Sequence, residues 1–130
     1  MKKHLILSTL LFSVMFSSTS FAEWTKVEND LKGNTFYVDF ERIRKVDGYV
    51  HFWDLTDYLK LDERGIFSVK LYKQGDCKLF RFKNLNWIFY KEPMGGGTPK
   101  IDNRPDKEWR YPIPNSVSET ILKSVCDHVK

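Results

Sequence analysis

The chain has 130 residues, a formal charge of +4 and only two cysteines. That length holds one small domain with a modest core and excludes a chain of several domains. So small a positive charge argues against nucleic acid as the partner.

The first 22 residues read as a secretory signal. Lys2 and Lys3 form a positive start, and Leu5 to Phe16 form an apolar run. Ser20-Phe21-Ala22 places small residues where a signal peptidase cuts. The run is too short for a spanning helix, although an uncleaved anchor is the competing reading. Cleavage between Ala22 and Glu23 is expected, leaving a domain of residues 23–130 with no spanning segment. Removing Lys2 and Lys3 also lowers the formal charge by two. No cysteine precedes Cys77, so the lipid-attachment motif is absent and the expected product is not a lipoprotein. It is periplasmic, secreted or at the cell surface.

Glu23–Asn34 is polar and ends on the turn signal Gly33-Asn34. Thr35–Ile43 is rich in β-formers, Asp47-Gly48 marks a tight hairpin, and Tyr49–Tyr58 reads as the next strand. Lys60–Gly65 is a charged turn. Ile66–Lys73 alternates, with Phe67, Val69 and Leu71 on one side and Ser68 and Lys70 on the other. Gln74-Gly75-Asp76 reads as another turn. Cys77–Phe82 and Leu85–Tyr90 form one strand or two, broken near Asn84–Asn86. Short turns between consecutive strands make the sheet antiparallel.

The C-terminal part is helical. Ser116-Val117-Ser118-Glu119 has the capping-box form. Val117, Ile121, Leu122, Val125, Cys126 and Val129 recur at helical spacing and make one apolar face. The expected fold is therefore α+β: a single antiparallel sheet of five to six strands with a C-terminal helix packed on it. An exported chain with two cysteines pairs them as a rule. Packing the helix on the sheet brings Cys126 towards Cys77, so a disulfide is expected to tie helix to sheet.

Lys91–Lys100, KEPMGGGTPK, resembles a phosphate cradle at first sight. A Walker loop requires a Lys followed by Ser or Thr at the start of a helix. Here Lys100 is followed by Ile101, and the next stretch contains prolines. The better reading is a long mobile hairpin loop, Pro93–Lys107, with Pro93, Met94, Gly95, Gly96, Gly97, Lys100 and Arg104 as candidate contact residues. His51 and His128 do not suggest a metal site, no nucleophile–base arrangement stands out, and no cofactor is expected. Lys78, Phe80, Arg81, Phe82 and Lys83 mix basic and aromatic residues as base-stacking sheets do, but export and the low net charge argue against nucleic acid, and a solvated sheet face is the better reading. Trp24, Trp53, Trp87 and Trp109 are too many large aromatics for a small domain to hide, so some are expected on a contact surface.

Four stretches in this order resemble the bacterial surface-adhesin protein E family: TFYVDFERIRKVDGYVHFWDL (Thr35–Leu55), DCK (Asp76–Lys78), PMGGG (Pro93–Gly97) and YPIPNSVSETILKSVC (Tyr111–Cys126). The resemblance implies an antiparallel sheet with a C-terminal helix tied by a disulfide. It also implies an outer-surface, non-enzymatic protein that binds host matrix and serum proteins such as laminin, vitronectin and plasminogen. This sequence departs from the family in lacking the lipid-attachment cysteine. The alternative is a periplasmic structural or assembly subunit, in which an open sheet edge pairs with a partner strand or with a second copy as a homodimer.

Overall fold

The structure is a computed structural model that describes residues 22–130. The expected signal sequence, up to Phe21, lies outside the described residues. Among the described residues the chain forms seven strands and one α-helix, with β1 at Thr25–Asn29, β2 at Thr35–Val38, β3 at Arg44–Val46 and β4 at Tyr49–Asp57. β5 is Ser68–Asp76, β6 Arg81–Tyr90, β7 Lys100–Asp102 and α1 Val117–His128. The strands make one antiparallel sheet in the order β1-β2-β4-β5-β6-β7, with β3 also pairing β4. The fold class is as expected, with more strands than expected.

The turns follow from local chemistry. Asp47 and Gly48 have φ of 51° and 84°, the conformation that a two-residue hairpin needs. Asp30 and Asp62 each fold the residues that follow back on a carboxylate. Asp30 Oδ1 accepts from the amides of Lys32 and Asn34 at 3.0 and 2.9 Å. Asp62 Oδ1 accepts from those of Arg64 and Ile66 at 2.8 and 2.9 Å. Such Asx turns satisfy backbone donors that no strand can reach.

Four sequence expectations require correction. Polar Glu23–Asn34 contains β1, an edge strand whose register shifts between Lys26 and Glu28. The stretch Thr35–Ile43 stops as a strand at Val38 and passes through a 3-10 turn at Phe40–Arg42. Gln74–Asp76 continues β5 rather than turning, and the reversal falls at Cys77–Phe80, where Asp76 Oδ1 accepts from Lys78 and Leu79. Gly75 is in the strand for lack of space: a Cβ there would lie 2.9 Å from Val50 Cγ2 and 3.0 Å from Leu122 Cδ1. Lastly, Asn84–Asn86 is a β-bulge rather than a break. Asn84 pairs Lys73 and Asn86 pairs Tyr72, which leaves Leu85 as the extra residue.

The helix covers one face of the sheet. Val38, Val50, Phe52 and Phe82 meet Ile121, Leu122, Val125 and Cys126 in the core. Ser116 caps α1, its Oγ accepting from the Glu119 amide at 3.2 Å. The Glu119 carboxylate accepts from the Asn115 amide at 3.1 Å, one residue before the capping serine. The Cys77–Cys126 disulfide joins the turn after β5 to the last full turn of α1, with Cα atoms 5.6 Å apart.

Candidate contact surface

Strand alternation decides what the helix leaves uncovered. Val50 and Phe52 of β4 point into the core, so Tyr49, His51 and Trp53 point to the opposite face. β5 pairs with β4 so that Tyr72 lies opposite Trp53 and Gln74 opposite His51. The Tyr72 ring centroid is 4.8 Å from that of Trp53 and 6.0 Å from that of His51. The three rings form a row across two central strands, on the side of the sheet away from α1.

A second cluster continues the row. The segment after β7 is held to β6 by paired backbone bonds between Phe82 and Arg110 at 2.9 and 2.8 Å. This places Trp109 5.3 Å from Tyr49, with Arg81 Cζ 4.3 Å and Lys83 Nζ 4.9 Å from its ring centroid. Arg81 is fixed by Asp76, Nε to Oδ2 at 2.9 Å.

The electrostatics of this face are mostly cationic. Burial lowers the His51 pKa, and nearby Arg44 lowers it further, so the imidazole is neutral at pH 7. Asp39 is buried at the edge of the same face, with Arg42 Nε 3.3 Å from its Oδ2. Beside it Trp24, Trp53, Lys70 and Ile88 line a cavity of about 190 Å³. Flat aromatic rings next to guanidinium and ammonium groups can stack on a partner's side chains and attract its carboxylates.

The candidate loop Pro93–Lys107 is not one mobile hairpin. Its first half is tied down: the Met94 amide donates to Asp57 Oδ1 at 2.8 Å and the Gly95 amide to Ser68 Oγ at 2.8 Å. Ser68 Oγ donates in turn to the Glu92 carbonyl at 2.7 Å. Gly95 and Gly97 have φ of 74° and 84°, which explains the glycines without a phosphate. Gly96 lies between them, its amide donating to the Pro93 carbonyl at 3.1 Å.

The second half includes β7, a short edge strand. It brings Lys100 and Arg104 together with Arg64 and Lys91 around a groove of about 510 Å³. Arg104 holds the Asp102 carboxyl down to about 2 through hydrogen bonds of 2.9 and 2.6 Å. The candidate residues therefore divide, with Pro93 to Gly97 in a structural turn and Lys100 and Arg104 at an exposed basic edge. Nothing in the sequence singles out Tyr72 as the neighbour of Trp53, or Trp109 as that of Tyr49. The alternation in YVHFWDL was the available signal for the open face.

Among the described residues no helix is long and apolar enough to cross a membrane, and no group of His, Cys, Asp and Glu could hold a metal ion. The fold is that of a small α+β domain, an antiparallel sheet with one helix tied to it by a disulfide. The chain belongs to the surface-adhesin protein E family, whose model matches residues 24–127. Its fold is similar to that of Haemophilus influenzae protein E in crystal form II, with a TM-score of 0.63 and 19% identity over 82% of this chain and 90% of that one. Protein E from non-typeable Haemophilus influenzae has a TM-score of 0.57 and 18% identity, over 80% of this chain and 75% of that one. No curated protein matches the sequence.

Proposed function

We propose that this is an exported, non-catalytic binding protein of the surface-adhesin E type, which contacts extracellular-matrix or serum proteins through the open face of its sheet. The observation that carries the reading is the row of Trp53, Tyr72 and His51, continued by Tyr49 and Trp109 under Arg81 and Lys83. Aromatic and arginine side chains dominate the energetics of protein interfaces. Cleavage between Ala22 and Glu23 would release the domain, and the basic edge at Lys100 and Arg104, which shares the Phe89 side of the sheet, would be a separate contact.

The test is binding to immobilised laminin, vitronectin and plasminogen. Trp109→Ala and Tyr72→Ala are each expected to weaken binding by about 2 kcal/mol, close to thirtyfold. Binding should also weaken as salt rises. Unchanged binding in both variants would reject the open face as the contact surface.

A second reading is favoured by the sheet's outer strands. β1 and β7 each have one neighbour in the sheet, so an edge is available to an envelope partner or a second copy. Protease added to intact cells separates the two readings: digestion indicates the surface, and protection until the outer membrane is opened indicates the periplasm.

A further inference from the structure

The core side of the sheet contains a polar island. Asp54, Lys73 and Asn84 are 1%, 7% and 9% exposed, and all three point to the helix side. Lys73 Nζ is 2.7 Å from Asp54 Oδ2 and 4.9 Å from the Phe82 ring centroid. The Asn84 backbone is satisfied by Asp106, whose carboxylate accepts from the Asn84 amide at 2.9 Å and whose own amide donates to the Asn84 carbonyl at 2.8 Å. The Asn84 side-chain Oδ1 is buried with no donor.

These groups line a cavity of about 270 Å³ walled by Leu71, Phe82 and Ile121, with Val117 and Arg110 also on its lining. A buried ion pair seldom stabilises a fold more than apolar residues of the same size, and a buried acceptor without a donor is a cost. Stability alone therefore does not account for the island. Its charges cancel: Asp54 faces Lys73, and Asp106 holds Arg110 at 2.6 and 2.9 Å. A charged ligand would be buried without a counter-ion. Asp54 Oδ2 has the Lys73 ammonium beside it as its ion-pair partner, so the need left unmet is a hydrogen-bond donor for Asn84 Oδ1.

We propose that this cavity binds a small uncharged molecule with a primary carboxamide on an apolar body. The carboxamide N–H would donate to Asn84 Oδ1, and its carbonyl would accept from the Lys73 ammonium. The apolar body would lie against Leu71, Phe82 and Ile121. The volume is below that of pockets for drug-sized ligands, roughly 300–1,000 Å³, so the occupant is fragment-sized. The site is on the opposite side of the sheet from the open face, so either proposal can fail alone.

The test is an NMR titration of the purified protein with benzamide, and with benzoate and benzylamine as charged molecules of similar shape. Benzamide is expected to shift the Asn84 side-chain amide and the Leu71 and Ile121 methyls saturably, with the charged probes at least tenfold weaker. Asn84→Leu and Val117→Trp are each expected to weaken benzamide at least tenfold; if the first fails to fold, the second decides. No saturation with benzamide, equal binding of the three probes, or unchanged affinity in the folded variants would overturn the proposal.

Discussion

Replacing both cysteines, as Cys77→Ala with Cys126→Ala, tests how the helix is held. The bridge spans 49 residues, and the chain-entropy relation for such a loop gives a loss of about 4 kcal/mol. The variant should still fold, because Ile121, Leu122 and Val125 are at most 4% exposed and each contributes about 1.5–3 kcal/mol by burial. With m of about 2 kcal/mol/M, the urea midpoint should fall by about 2 M. Tryptophan fluorescence and circular dichroism would follow the unfolding. A loss below about 1 kcal/mol, far short of that chain-entropy value, would refute the reasoning and show that packing alone holds the helix.

Gly75→Ala should destabilise by about 1–3 kcal/mol, because overpacking against Val50 and Leu122 outweighs the gain from a stiffer unfolded chain, about 0.4–1 kcal/mol; equal or greater stability would show that the helix shifts freely. Ser68→Ala should cost about 1–3 kcal/mol by leaving the Gly95 amide and Glu92 carbonyl without their partner, and a neutral result in thermal unfolding would mean the turn is not anchored there. Arg110 holds the Asp106 carboxyl below its usual value. A depressed folded value adds stability above the unfolded value, lost as pH falls through the folded one. Stability should thus decline below about pH 4, and Asp106→Asn should make that decline shallower in urea midpoints taken across the acid range.

The sequence carried its structure unevenly. The helix was legible because its apolar period, its capping serine and Cys126 agree. The central strands were legible because one face is buried and the alternation is strong. β1 and β7 were not, since edge strands are short and half exposed and need no apolar pattern. Gly75 misled for a physical reason: a glycine signals a turn locally, but here it answers Leu122, a residue far away in the chain. The contact face was only partly legible, because ring-to-ring neighbours depend on register. Asp54 and Lys73 could not be paired from sequence, since their meeting depends on which strand faces they share.

The first described strand and the final helix pack together. The sheet therefore cannot cover its apolar face until α1 has been made, and its central strands stay exposed until then. Such long-range closure slows folding and prolongs exposure to aggregation. The Cys77–Cys126 bridge, too, can close only once α1 has been made.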